Sequence, residues 1–298
     1  IQTNIKIRNL RPHDLLLTEE REGFGYSANI SADFSGNSPD NIIGELRIDS
    51  LLTTTPKDTF LMKELTMNAN VAADGGYRIL SINSDFMNAF FEGELEVEKL
   101  TEDLTRIVGE NLPSLTTPST KRYTTARKGD NNFTVDINLQ ASKFYPYVLG
   151  IPLEIKPSMT VNGFINSDKN LMELTGNVYH LTYNGNEYES GSFKYRKTEE
   201  RSTVNVQISK HQKNNERMTM MLNANAENDS LKTKFNWGND AITTYAGTLN
   251  AEATFARNQS DILTTLIKIS PSDVIINDSI WKVSESTIRI DSGHVHID

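Results

Sequence analysis

Most of this 298-residue chain alternates apolar and polar residues with a period of two. Successive side chains of a β-strand point to opposite faces of a sheet, so the alternation predicts strands with one apolar and one solvated face. The clearest runs are 26–34, 65–71, 91–98, 133–141, 204–208, 218–226, 231–237 and 249–255. In the run 91–98 the polar positions are all glutamates, which the pattern places on a solvated face. Roughly sixteen strands are expected in all.

Short polar connections separate these runs, as in "SGNSPDN" at 35–41 and "NGN" at 184–186. Connections of this length join antiparallel neighbours, because parallel strands need a crossover of a dozen or more residues. The sequence therefore predicts an all-β fold with a long antiparallel sheet and one or two short helices.

Two stretches break the alternation. Residues 99–112 have apolar side chains at helical spacing, which predicts an amphipathic helix packed on the apolar side of the sheet. The alternative for this helix is contact with a partner or a membrane surface. The stretch "SKFYPYVLGIPLEI" at 142–155 is densely apolar and contains Pro146 and Pro152, so it predicts a short helix or turn against a core.

Residues 113–130 are rich in Thr, Ser and charged residues and follow no period. That composition is typical of a flexible linker. We therefore predict a first β segment over 1–112 that ends in the helix, a linker over 113–130, and a second β segment over 131–298 that continues the sheet.

Composition narrows the classes of function. The net charge of −9, with 39 acidic and 30 basic residues, argues against nucleic-acid partners and against electrostatic docking on anionic membranes. The chain contains no cysteine, which excludes thiolate catalysis, disulfides and cysteine-ligated metals. No stretch approaches the ~18 consecutive apolar residues of a membrane helix. Because Ile1 begins inside an alternating run, we expect both ends to cut through a longer protein.

Candidate catalytic or metal-binding residues are few. His294, His296 and Asp298 share one strand face by their spacing, but Val295 and Ile297 alternate with them. We interpret the histidines as part of a polar row on a wet face rather than as metal ligands. The motif "GFGYSA" lacks the flanking strand and helix that a dinucleotide site requires. The sequence therefore predicts no enzyme, no cofactor and no metal.

The predicted elements leave the apolar side of the sheet to be covered. One or two short helices cannot cover roughly sixteen strands. That side has to meet another sheet, close on itself, face membrane lipid or enclose an apolar ligand. A membrane barrel would carry aromatic girdles at both ends of its strands, whereas Tyr and Trp are scattered along this chain.

Three passages resemble the TamB family as it occurs in Bacteroidetes, which belongs to the wider AsmA-like group. They are "ILSINSDFMNAFFEGELEVEKLTEDL" at 79–104, "KFYPYVLGIPLEIKPSMTVNGFIN" at 143–166 and "SPSDVIINDSIWKVSESTIRIDSGHVHID" at 270–298. Members are large periplasmic proteins, anchored in the inner membrane by an N-terminal helix and reaching towards the outer membrane. The resemblance implies that this chain is an internal, periplasmic segment of such a protein.

The resemblance also implies a function. In the family the long sheet curls into an open apolar trough that is associated with lipid transport to the outer membrane and with outer-membrane assembly. The implied partners are phospholipid acyl chains and, through other parts of the full-length protein, the outer-membrane assembly machinery. Burying a ~16-carbon chain yields on the order of 12 kcal/mol before entropy costs, so capture needs no charged pocket.

The alternating apolar positions are the predicted lining of this trough. They are Ile30, Phe34, Met67, Val71, Phe91, Leu95, Val135, Leu139, Val206, Met220, Leu222, Phe235 and Leu249. The same residues would form the dry core if the fold were a closed β-sandwich, as in an adhesin-like surface domain. A further alternative is a module whose open sheet edge accepts strands of nascent outer-membrane proteins.

Overall fold

The computed structural model describes residues 1–18, 21–72, 77–115, 129–212, 216–258, 260–291 and 294–298. These residues are mostly β-strand, and the strands belong to one long, open antiparallel sheet. The all-β class and the antiparallel sheet predicted from the period of two are confirmed. Of the predicted linker, residues 116–128 lie outside the described residues, and Pro113–Leu115 form a short 3-10 turn.

Nineteen strands lie within the described residues, where roughly sixteen were expected. They are β1 (Gln2–Leu10), β2 (Gly25–Ser35), β3 (Ile43–Thr54), β4 (Thr59–Val71), β5 (Arg78–Ser84), β6 (Met87–Glu94), β7 (Asn132–Gln140), β8 (Leu153–Asn166), β9 (Leu171–Tyr183), β10 (Asn186–Lys197), β11 (Ser202–His211), β12 (Arg217–Glu227), β13 (Ser230–Asn239), β14 (Tyr245–Arg257), β15 (Leu263–Ile269), β16 (Ser272–Ile276), β17 (Ser279–Val283), β18 (Ser286–Asp291) and β19 (His294–Ile297). Strands such as β16 and β17, with 5 residues each, are too short for a period of two to separate them.

Consecutive strands pair as antiparallel neighbours from β1 to β6 and again from β10 to β14. Strand β14 then pairs with two partners, with β15 along residues 251–257 and with β16 along residues 245–247. The two branches continue as β15–β18–β19 and as β16–β17. The hairpin connections that the sequence predicted account for most of this order.

The described residues divide into two compact units. The first contains residues 1–98, 133–162 and 178–186, and the second contains residues 99–132, 163–177 and 187–298. Strands β8 and β9 contribute residues to both. Because the units interleave along the chain, they do not test the division into segments at 113–130, which stays a prediction.

The first unit contains a dense hydrophobic core. Its fully buried members include Met62, Phe86, Phe144 and Ile155, and the rings of Phe86 and Phe144 stack with their centroids 3.7 Å apart. The π-helical turn Tyr145–Leu149 packs its first residue into this core. The prediction of a short helix or turn within 142–155, placed against a core, is confirmed.

Helix α1 (Val97–Gly109) confirms the predicted helix, although it begins and ends earlier than 99–112. Its N-terminus is capped by Asp40, whose Oδ1 atom accepts a hydrogen bond of 2.5 Å from the Val97 N–H. The glutamate ladder is shorter than predicted, because β6 ends at Glu94 and Glu98 lies in the first turn of the helix. A carboxylate there is favoured by the partial positive charge of the helix N-terminus, so the strand prediction for 91–98 is wrong beyond Glu94.

Candidate functional site: an apolar sheet face

Strands β10–β14 of the second unit carry an apolar face built from cross-strand rows. The central row takes one residue from each strand, with each residue directly opposite the next: Phe193, Val206, Leu222, Phe235 and Leu249. Opposed side chains on one face of an antiparallel pair touch, so the row is a continuous apolar stripe. Five strands at the usual spacing make it roughly 19 Å across.

A second apolar row lies beside the first. It contains Ile208, Met220, Trp237, Gly247 and Val274, again in register from strand to strand. The two rows are joined on β13, where the rings of Phe235 and Trp237 stack with their centroids 5.5 Å apart. The face is therefore a surface several side chains wide rather than a single line of contacts.

The opposite face of the same strands is polar. Asn205, Asn223, Lys234 and Asn250 form a row in register, one residue along each strand from the central apolar row. This separation of faces is what the alternation predicted, and it places four of the predicted lining residues, Val206, Leu222, Phe235 and Leu249, in one row. Met220, the fifth from this unit, lies in the second row.

The apolar face is covered only in part. Phe235 keeps 36% of its surface exposed, and Val206, Met220, Leu222 and Leu249 are half-buried. Among the apolar residues described for β10–β14, Ala226 alone is fully buried. A close-packed sandwich core would bury such side chains fully. The face is thus available to an apolar ligand.

The first unit carries further predicted lining residues on a common face. Phe34 and Phe91 belong to one cross-strand row, and Ile30 and Met67 lie on the same face in neighbouring rows. Val71 lies on this face near the end of β4 and is 41% exposed. These five residues therefore lie on one face of the sheet, and their role as lining stays a prediction.

Three predicted lining residues of the first unit lie in more enclosed positions. Leu95 and Val135 are fully buried, and Leu139 packs against the hydrophobic core. A ligand on the exposed part of the face would not touch fully buried side chains. Their role as lining stays a prediction, and the core provides a structural reason for their apolar character.

A polar strap fastens one end of the second unit, and the sequence did not predict it. We define the strap as residues 103–114, from the middle of α1 into the following 3-10 turn. Its first contact is a buried network in which Asp103 accepts hydrogen bonds from the side chains of Asn131, at 2.8 Å, and Ser167, at 2.7 Å. Arg106 donates to the Ser167 carbonyl at 2.6 Å and so joins the strap to the β8–β9 turn.

Burial alone would raise the pKa of Asp103, but hydrogen bonds from Asn131, Ser167 and Arg106 outweigh it and hold the pKa below its ordinary value. Asp103 therefore stays ionised and keeps Asn131, Ser167 and Arg106 oriented at neutral pH. The charge is compensated by Arg106, whose side chain is equally buried.

The strap next reaches the β10–β11 turn. Lys197, the last residue of β10, is fully buried and pairs with Glu110 at 2.6 Å. Ser202, the first residue of β11, donates to the Asn111 side chain at 2.8 Å. By their register, Lys197 and Ser202 lie on the same side of the sheet as the apolar rows, so the strap bounds the apolar face at this end.

The strap ends on the two hairpins that follow. The Ser114 N–H and hydroxyl both donate to the Asp229 carboxylate, at 2.7 and 2.9 Å, in the β12–β13 turn. Arg257, at the end of β14, donates to the Ser114 carbonyl at 2.7 Å. The strap thus fixes the ends of four successive hairpins to one segment. The available sequence signal was weak: polar residues in turns ordinarily indicate solvent.

The histidines at the C-terminal end lie on the exposed strand β19. His294 and His296 are opposite Asp291 and Arg289, while Val295 and Ile297 are opposite Ile290 and Ile288 on the other face. Across the residues that the structure describes, no three His, Cys, Asp or Glu side chains come together as a metal site would require. No described helix is long and apolar enough to cross a membrane.

Comparisons with known protein families, with curated proteins and with solved structures find no match to this chain.

Proposed function

We propose that this chain binds lipid acyl chains on the apolar face of β10–β14. The observation that carries the proposal is the registered row from Phe193 to Leu249, which is apolar across five strands and left partly exposed at Phe235. Exposed apolar patches of this extent mark sites of interaction with apolar partners. The polar strap gives the face a defined end, which supports a ligand-binding role over non-specific adhesion.

The resemblance to the TamB family supports a wider version of the proposal. In this wider version, the chain is a periplasmic segment of an envelope-spanning protein, and the acyl chains belong to phospholipids that move between the inner and the outer membrane. The net charge of −9 fits a binding mode that depends on apolar contact rather than on capture of anionic headgroups. The proposed role is non-enzymatic.

The first test is the lipid content of the purified protein. The chain is produced in a bacterial host without detergent, and bound lipid is measured by native mass spectrometry and by extraction. Two adjacent residues of β12 provide a matched pair: Leu222 lies in the central apolar row, whereas Met221, 40% exposed, points to the polar face. We expect Leu222→Asp to lose the bound phospholipid, because a carboxylate in the row would have to be desolvated, and Met221→Asp to retain it.

Circular dichroism of both variants checks that the β-sheet survives. If wild-type protein is a folded monomer without lipid, or if both variants keep their lipid, the acyl-chain proposal is wrong for this face.

A second candidate function is strand acceptance at the sheet edge. Strand β17 pairs with β16 and is exposed along most of its length, with Ile280 at 70% and Trp281 at 59%. Exposed edge strands pair readily with added strands, which is how β-augmentation modules bind extended peptides. A folded, lipid-free protein that binds an outer-membrane strand peptide would favour this function over the first.

A further inference from the structure

Two aromatic rings of the apolar face lie close over glycines of neighbouring strands. A Cβ atom built on Gly247 would lie 2.5 and 2.6 Å from Cζ2 and Cη2 of Trp237, its partner in register on β13, and 2.9 Å from Cγ1 of Val274, its partner on β16. A Cβ atom built on Gly176 would lie 2.1 Å from Cε1 of Phe193 on β10. Contacts of this length do not occur for real Cβ atoms, so each ring occupies the place of a side chain.

The backbone does not explain these glycines. Neither Gly176 nor Gly247 has the left-handed backbone conformation that favours glycine, so any residue fits their φ angle. Glycine in a strand interior is otherwise unfavourable, because it loses conformational entropy and packs nothing. Glycine is required at these two positions because the aromatic rings occupy the space where a side chain would lie.

We propose that Gly176 and Gly247 are specificity-determining residues of the acyl-binding face, because they set the depth of its floor. This inference rests on the proposed function. With glycine beneath them, the rings of Phe193 and Trp237 lie close to the backbone of the neighbouring strand and leave room above for a ligand chain. A methyl group at either position would lift the ring, which is the free end of a rotatable side chain, into that room.

The same geometry indicates which ligands fit. Rings held close to the backbone offer a broad, shallow contact to a flexible chain. The height of the rings above the sheet differs by about the thickness of one methyl group between glycine and alanine. A raised Trp237 ring would occupy the space that an acyl chain fills above it, so the chain would lose contact there. The rest of the face would still bind the acyl chain. The expected effect is therefore a weaker affinity and not a loss of fold.

The test compares Gly247→Ala with Gly238→Ala. Gly238 lies next to Trp237 on β13 but on the polar face, where an added Cβ would meet only the Ala246 Cβ atom, at 3.9 Å. Affinity is measured with a 16-carbon fatty acid that carries a fluorophore at its terminal carbon. We expect Gly247→Ala to bind about tenfold more weakly, as follows when about two methylene groups lose contact, and Gly238→Ala to bind as wild type does.

A rescue variant ties the effect to the ring. In Trp237→Leu no ring is present to be lifted, so Gly247→Ala should add a much smaller loss in that background, where the added Cβ still meets the Val274 Cγ1 atom. Equal affinities of Gly247→Ala and Gly238→Ala would overturn the inference while leaving the proposed function intact. A wild-type protein that does not bind the fatty acid would instead refute the proposed function. If Gly247→Ala fails to fold, Gly176→Ala with Phe193→Leu provides the same pair of measurements on β10.

Discussion

At the scale of single residues, Tyr145 shows how a buried polar group is accommodated in the first unit. Its hydroxyl is buried in the core and donates to the Phe86 carbonyl at 2.7 Å, with the Gln140 carbonyl 3.0 Å away. Burial raises the pKa of Tyr145 to about 12. The neutral phenol is therefore the form that the fold requires, since an anion there would be desolvated and would face carbonyl oxygens.

This residue predicts a loss of stability in alkali. The folded state holds the Tyr145 proton more tightly than the unfolded chain, so its contribution is complete below pH ~10 and is lost as the pH rises towards about 12. Urea unfolding of wild type and Tyr145→Phe across this range measures the effect. We expect the difference in unfolding free energy between them to shrink above pH ~10; a constant difference would contradict the assignment.

Residue patterns also show how much of the candidate face could be predicted. Alternation placed Val206, Leu222, Phe235 and Leu249 on one face correctly, because a strand has a fixed period and one wet side. It could not give their register, which depends on turn geometry between strands. Nor could it find Lys197, because a charged residue at a strand end indicates solvent unless its partner, Glu110, is known to be near.

At the scale of elements, the strap and the β10–β11 hairpin are joined by an ion pair with unequal surroundings. The Lys197 ammonium is fully buried, whereas the Glu110 side chain is 39% exposed and also accepts a hydrogen bond of 3.0 Å from Asn170. Removing one member of a buried pair is costly when the other is left without compensation. A substitution of Glu110 and a substitution of Lys197 should therefore lower the free energy of unfolding by different amounts.

We expect Glu110→Gln to destabilise the protein by roughly 2–3 kcal/mol, because it leaves a buried ammonium. Lys197→Met should cost roughly 1 kcal/mol or less, since methionine fills the volume and Glu110 retains water. A double-mutant cycle with denaturant unfolding measures both values and their coupling. Equal costs would mean that Glu110 is as poorly solvated as Lys197.

At the scale of the whole molecule, the two units bury their apolar residues to different extents. The first unit has a close-packed cluster around Phe86 and Phe144, with fully buried members. In the second unit, the rows around Leu222 stay half-buried. The alternation of the sequence is the same in both, and the first unit differs in the segment 142–152, which adds Phe144, Tyr145 and Val148 to its core.

Matched truncations make this difference measurable. Phe86→Ala should cost about 3–5 kcal/mol of unfolding free energy, as for other large core residues. Leu222→Ala should cost only roughly 1 kcal/mol, because less apolar area returns to water. Both are measured with lipid removed and at several protein concentrations. A Leu222→Ala cost as large as that of Phe86→Ala would show that the face is covered in solution.

The sequence predicted the fold class because period-two alternation and short turns dominate the chain. It predicted roughly sixteen strands where nineteen are described, and it did not predict that β14 pairs with both β15 and β16. A strand that pairs with two partners along one edge has the same alternation of apolar and polar residues as a strand with one partner. Local periodicity therefore cannot reveal the second pairing. The branching of the sheet at β14 depends on pairing between residues far apart in the chain, and patterns in a single sequence contain little information about such pairing.

The contacts of the strap also imply an order in which parts of the second unit can form during synthesis. Ser114 and Arg257 are 143 residues apart in the chain. The contacts of Asp103 with residues 130–131 span 27 and 28 residues, and the contacts from the strap to residues beyond 132 span 60 residues or more. At the usual ribosomal rates, Arg257 is synthesised roughly 7–30 s after Ser114. During that interval Ser114 is present without Asp229 and Arg257, to which it later binds, so the second unit can be completed only after its C-terminal strands have been made.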